Sequence, residues 1–267
     1  DAAMHSFLEL QRQDRLNYIL PITRNLSVGI PGREFMFGGV GLAASVAAME
    51  AASDRPAIWA TAHYISYAQP GNDAEITVDL PAEGNAITQA RASIHLGERE
   101  VLTAAAALGT RTGLDGQWVK LDNVPHWREC DESSHWSGDE NLGSRIRFRP
   151  ARGSFGNLPN AETRTNDGRL LIWMRPVEDI SIDRIMLAVI ADFMTPGIRN
   201  ATGRHAGGNS LDNTIRYGAI VPTEWVLCDI QIEVIHAGIV HGAMRIFAED
   251  GTLMASASQS MILRVRD

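Results

Sequence analysis

The feature that most constrains this chain is a repeat: one order of elements occurs twice. In the first half, Gly38 to Ala52 is apolar and alanine-rich. Leu42, Val46 and Met49 fall on one helical stripe, and Ala43, Ala44, Ala47, Ala48 and Ala51 keep the cylinder thin. Pro56 stops this helix, because the residue before a proline is disfavoured in the helical region. Strand material follows at 58–69, 75–80, 85–96 and 100–108, broken by turn signals such as Pro70-Gly71-Asn72-Asp73 and Gly97-Glu98. In the second half, strands at 144–150 and 169–175 precede a second helix. There Ile182, Ile185, Met186, Val189, Ile190 and Phe193 recur at helical spacing, Asp179 or Ser181 is the expected N-cap, and Pro196-Gly197 reads as the stop. Strands resume at 209–217, 224–236, 238–249 and 252–265.

The residues of the two halves also correspond. At an offset of 152, Ile87-Thr88-Gln89-Ala90 faces Ile239-Val240-His241-Gly242, Ile94 faces Ile246 and Ala105 faces Ala257. The expected architecture is α+β, with two antiparallel sheets each wrapped around a long central helix. One unit covers residues 16–109 and the other 141–267. Residues 110–140, which have no period, form the linker. Residues 1–20 are polar and irregular, with a short helix expected at 6–15.

Composition narrows the function classes. Of 267 residues, 45% are hydrophobic and 21% charged, as in ordinary globular proteins, which excludes disordered and fibrous chains. A net charge of −8 argues against nucleic acid as a partner. Two cysteines, Cys130 and Cys228, cannot build a disulfide framework and fit a reducing compartment. The longest apolar run ends at Glu50, short of the roughly 18 residues of a membrane span, so no membrane partner is expected. The N-terminal residues lack the basic and apolar regions of a signal peptide. The expectation is a soluble cytoplasmic protein.

A repeat lets each half serve as a control for the other. At the 152 offset the first copy shows Val40, Ile58 and Ala107 where the second shows Asp192, Ser210 and Gln259. Asp192 follows Ala188 by four residues and Val189 by three, on the apolar stripe of its helix, where a carboxylate is costly unless it is hydrogen-bonded or lines a wet pocket. Gln259 shares a strand face with Ala255, Ala257 and Met261, and its buried amide needs partners that Asp192 could supply. Ser210 alone is the weakest of the three. Arg145, Arg147 and Arg149 alternate along one strand, which suits either a solvated sheet face or an anion site.

Several stretches carry a resemblance. Phe37-Gly38-Gly39, the long helix, His63-Tyr64 and Gln69-Pro70-Gly71 resemble the first half of the acyl-CoA thioesterase II (TesB-like) family. Ser210-Leu211-Asp212-Asn213-Thr214-Ile215, Thr223-Glu224-Trp225 and Ala255-Ser256-Ala257-Ser258-Gln259 resemble its second half. The likeness covers roughly 25–109 and 140–267. It implies a double hotdog fold, an acyl-CoA substrate, hydrolysis without a cofactor, and a homo-oligomer. Carried over residue by residue, the family's catalytic Asp, Thr and Gln fall on Asp192, Ser210 and Gln259. Ser210 keeps the hydroxyl but lacks the methyl that stiffens a threonine rotamer. Gly38 and Gly39, at a helix N-terminus, are candidate oxyanion or phosphate contacts, and Arg145, Arg147 and Arg149 are candidate CoA contacts.

Rival readings fit less well. Gly39-Val40-Gly41-Leu42-Ala43-Ala44 has the form of a dinucleotide fingerprint but lacks the strand before it and the carboxylate after it. A nucleophile elbow is absent. A hotdog hydratase would place a histidine where Pro196 and Gly197 stand. His126, Cys130 and His135 lack a fourth metal ligand, so no metal is expected. The three polar residues could instead form a structural network in a non-hydrolytic acyl-binding or protein-interaction module.

Overall fold

The computed structural model describes residues 3–133, 140–155, 165 and 167–266. The chain opens with a small hairpin, β1 (Gln11–Arg12) and β2 (Asn17–Pro21), then a two-stranded ribbon of β3 (Ser27–Val28) and β4 (Phe35–Met36). Helix α1 (Gly38–Ser53) leads into β5 (Ala57–Tyr64), β6 (Asp73–Glu83), β7 (Ile87–Leu96) and β8 (Arg99–Gly109). The second set comprises β9 (Ile146–Arg152), β10 (Arg169–Pro176), α2 (Arg184–Ile190), α3 (Thr195–Thr202), β11 (Ala206–Ser210) and β12 (Asp212–Tyr217). It is completed by β13 (Val226–His236), β14 (Ile239–Ala248) and β15 (Leu253–Val265).

The two meanders do not form separate sheets. They join edge to edge through β5 and β12 into one sheet of order β1-β2-β6-β7-β8-β5-β12-β15-β14-β13-β10-β9, with β11 also paired to β15. The expectation of two sheets is corrected here. A lone meander leaves an edge of unpaired amides, and the second copy satisfies it. At the seam the hydroxyls of Thr61 and Thr214, 153 residues apart, meet at 2.7 Å, so the seam is close to a two-fold axis relating the copies.

α1 forms as one continuous buried helix over Gly38–Ser53. Nearly every residue from Gly39 to Met49 is buried, as the all-round apolar sequence requires. Asp54 in the left-handed conformation and Pro56 end it. The second helix is not one continuous rod. α2 stops at Ile190, residues 191–194 form a turn tightened by Asp192 N–H to Val189 O (3.3 Å) and Phe193 N–H to Ile190 O (3.1 Å), and α3 restarts at Thr195. Pro196 therefore opens a helix rather than closing one. Proline lacks an N–H that a first turn does not use, so both roles are compatible with its chemistry.

The N-terminal helix expected at 6–15 is absent. The Asp14 carboxylate accepts N–H bonds from Leu16 (2.8 Å) and Asn17 (2.9 Å), and this turn folds the segment into the β1–β2 hairpin with Phe7, Leu8, Leu10, Tyr18 and Leu20 buried.

Strand pairing also corrects the offset between copies. Thr61 pairs with Ala105, and Thr214 with Ser258, so Ala106 rather than Ala107 is the counterpart of Gln259. Ala57 pairs with Leu108 as Ser210 pairs with Met261, which makes Ala57, not Ile58, the counterpart of Ser210. The helices shift further. Tyr64 donates to Gly38 O and Tyr217 to Arg184 O, both at 2.7 Å, so the start of α1 matches the start of α2 and Asp192 falls opposite Val46 instead of Val40. An extra residue in the β14–β15 turn and seven residues added between the start of α2 and Tyr217, where α3 lies, account for the drift. All three counterparts remain apolar.

Candidate active site

Asp192 projects from the turn between α2 and α3 into the seam between the copies, and it is buried at 6% exposure. Both of its oxygens are hydrogen-bonded, Oδ1 more heavily than Oδ2. Oδ2 accepts the backbone N–H of Gly39 at 2.9 Å. Oδ1 accepts Gln259 Nε2 at 3.1 Å, Ser210 Oγ at 3.2 Å and Asn213 Nδ2 at 3.4 Å. The structure thus brings together Asp192, Ser210 and Gln259 from a turn, the end of β11 and the middle of β15. Burial lifts the Asp192 carboxyl from the ordinary carboxylate range to about 6, against the opposing bonds from Gln259, Gly39, Ser210 and Asn213.

The N-terminus of α1 points at this carboxylate, and its partial positive charge favours the ionised form. The Gly38-Gly39 pair makes that approach possible. A Cβ on Gly39 would lie 2.7 Å from Val189 O and 2.9 Å from Asp192 Cβ, and one on Gly38 would lie 2.7 Å from Asp192 Oδ2. Gly39 contributes its N–H to Asp192 and so does not offer it to a ligand. No acceptor among the described residues takes the Gly38 N–H. Tyr64, whose phenol is held protonated well above its ordinary range by burial and by Asp192, fixes the Gly38 carbonyl.

Asn213 is a member of the site that the sequence reading missed. It is fully buried on β12, and its Nδ2 reaches both Asp192 Oδ1 and Gln259 Oε1 at 3.4 Å, while its Oδ1 has no partner. In the corrected register its counterpart is Ala60, the same apolar-to-polar change that exposed the other three.

Asp192 and Ser210 open onto a cavity of about 350 Å³ that Phe35, Phe37, Tyr64 and Tyr67 also line. An apolar cleft with a few convergent polar groups is the usual form of a small-molecule site.

Arg145, Arg147 and Arg149 lie elsewhere. Arg145 precedes β9 in a short 3-10 turn, pairs with Glu178 at 2.6 Å and stacks over Phe7. Arg147 and Arg149 share Glu132 at 2.6 and 3.5 Å and lie over the Trp225 ring. None lines the cavity that holds Asp192. Alternation along a strand reports which side a residue faces; it does not report whether a carboxylate already neutralises it. His126 caps a 3-10 turn by accepting from Arg128 N–H, Cys130 Sγ is turned to the carbonyl of His126, and His135 lies outside the described residues. Among the described residues no cluster of three His, Cys, Asp or Glu side chains could hold a metal ion, and no helix is long and apolar enough to cross a membrane.

Comparison with known proteins decides the family. The acyl-CoA thioesterase N-terminal domain matches residues 29–111, and the acyl-CoA thioesterase C-terminal domain matches residues 121–263. The chain belongs to the acyl-CoA thioesterase family. No curated protein matches the sequence. Among solved structures it is similar to a provisionally assigned thioesterase from Novosphingobium aromaticivorans, with 29% identity, a TM-score of 0.86, and coverage of 96% of this chain and 98% of that one. The acyl-CoA thioesterase II TesB2 of Mycobacterium marinum shares 15% identity with a TM-score of 0.76, covering 98% of each chain. A hot dog fold protein of unknown function from Alicyclobacillus acidocaldarius shares 17% identity with a TM-score of 0.82, covering 97% of this chain and 96% of that one. The last of these likenesses shows the hotdog fold.

Proposed function

We propose that this thioesterase-family chain is a double hotdog that hydrolyses acyl-CoA to a carboxylic acid and CoA by direct attack of water. The observation that carries the reading is the convergence of Gln259, Ser210, Asn213 and the Gly39 amide on one buried carboxylate at the cavity wall. With a pKa of about 6, Asp192 is ionised at neutral pH and a stronger base than an exposed aspartate. It takes a proton from water as the oxygen bonds to the thioester carbon. Gln259 fixes the carboxylate and the Ser210 hydroxyl, and Ser210, at the cavity wall, holds the water. The oxyanion forms beside the Gly38 N–H, where the α1 dipole and a free donor converge. Its collapse breaks the carbon–sulfur bond, and the departing thiolate takes the proton back from Asp192.

The direct route is tested by one turnover in ¹⁸O-water. Attack by water delivers one ¹⁸O to the first acid released. Attack by Asp192 through an anhydride that water opens at the Asp192 carbonyl would leave that first product unlabelled and label the enzyme, and an acyl-enzyme trapped by hydroxylamine would reveal opening at the acyl carbonyl; either result would overturn the mechanism.

A further inference from the structure

A chain carrying eight excess negative charges has to present a local positive surface to hold a polyanion. The arginines of β9 do not supply it, because their charges are paired. The cavity itself does: among its described lining residues Arg264 is the one cation. Ile262 and Arg264 are two residues apart on β15, share a strand face and both line the cavity. Arg266 follows two residues on, and its N–H bonds to His205 O at 2.7 Å, bringing the end of the chain against the Arg204-His205 loop. Arg199, on α3, donates to Ala206 O at 3.2 Å, and burial together with the Arg266 charge pushes its pKa down. Among the described residues no carboxylate forms an ion pair with Arg199, Arg204, Arg264 or Arg266.

The spacing from the reactive centre is set by the strand. Gly207 pairs with Arg264 as Ser210 pairs with Met261, so Arg264 lies three residues beyond the Ser210 row, about 10 Å. Gln259 lies on the other face of β15, five residues or about 16 Å of extended chain away, and the cavity that Ser210 and Arg264 share reaches past the β11 side of the strand. CoA has the same division: a thioester at one end, an uncharged pantetheine arm, and a diphosphate and 3′-phosphate at the other end. We propose that Arg264, backed by Arg199, Arg204 and Arg266, grips the phosphates of CoA while the pantetheine arm runs along the β11–β15 edge to Asp192. Guanidinium forks match phosphate oxygens in charge and geometry. The patch selects a nucleotide-bearing thiol over carriers whose thioesters lack those phosphates. This assignment rests on the thioesterase reading for the other end of the ligand.

The test compares Arg264→Glu and Arg204→Glu with the unsubstituted chain on two thioesters of the same acyl group, one of CoA and one of N-acetylcysteamine, which has no phosphate. The expected result is a fall of about tenfold or more in the ratio of kcat/KM for the CoA ester to that for the short ester, carried by KM. An unchanged ratio overturns the proposal. Calorimetric titration with CoA itself separates this from the hydrolytic reading, since it needs no turnover. Should the unsubstituted chain cleave neither ester yet bind CoA about tenfold more tightly than Arg264→Glu, with a steeper loss in salt, the patch stands and the hydrolytic reading falls. No CoA binding, or equal affinity in both proteins, removes the patch.

Discussion

Gln259 Nε2 lies 3.1 Å from Asp192 Oδ1 and 3.1 Å from Ser210 Oγ, so a single amide ties the carboxylate of the cavity to its hydroxyl. Its own Oε1 is in turn approached by Asn213 at 3.4 Å. Removing that amide frees both partners at once. Gln259→Ala is expected to lower kcat about a hundredfold, in the range of losing one preorganised donor, with a much smaller change in KM. Steady-state thiol release measures both constants.

The Asp192 carboxyl sets a pH dependence with a definite sign. Its pKa is raised to about 6, so the acid is protonated and inactive as a base below that value and ionised above it. kcat/KM is expected to rise through pH 6 and level off near pH 7. The Gln259 bond lowers this pKa, so in Gln259→Ala the rising limb moves to higher pH. A profile from pH 4.5 to 8 checks both statements.

Asn213 gives a sharper electrostatic test. Asn213→Asp places a second carboxylate beside Asp192 in a buried setting, where two like charges cannot both ionise cheaply. Activity at pH 7 is expected to fall and the rising limb to shift upward, while activity at higher pH recovers in part. A uniform loss at every pH would show that Asn213 is needed for shape alone.

Most of this site is written in the sequence as departures from a repeat. Asp192, Ser210 and Gln259 are legible because the other copy has apolar residues at those places. Asn213 was not, because an offset of 152 misplaces β12, whose true partner across the seam is set by the Thr61–Thr214 contact 153 residues apart. The split of the second helix was hidden too. Ile190 and Phe193 are buried in helix and turn alike, so helical spacing persists across a break that hydrogen bonds alone reveal. Arg264 looked like an ordinary charge at a strand end. Its significance depends on which arginines lack acidic partners, and that information is three-dimensional.

The glycine pair has a mechanical role that predicts a stability cost. Gly39→Ala drives a methyl into Val189 O and Asp192 Cβ, where α1 and the α2–α3 turn touch. The expected destabilisation is about 1–3 kcal/mol, seen as a melting temperature lower by several degrees, together with loss of activity because the Gly39–Asp192 bond is displaced.

The hydroxyl of Ser210 is expected to matter more than its missing methyl. Ser210→Ala should lower kcat about tenfold, and Ser210→Thr should retain or raise it, because threonine keeps the bond to Asp192 and restricts its rotamer.

The central claim is that Asp192 is the base that activates water on an acyl-CoA thioester. The most direct measurement is release of free thiol from a panel of short-, medium- and long-chain acyl-CoAs by the unsubstituted chain and by Asp192→Asn, with circular dichroism confirming that both are folded. Turnover of at least one chain length by the unsubstituted chain, and a loss of about a thousandfold in the variant, are expected. Release by Asp192→Asn at the unsubstituted rate, or no release from any member of the panel by the unsubstituted chain, would contradict that claim.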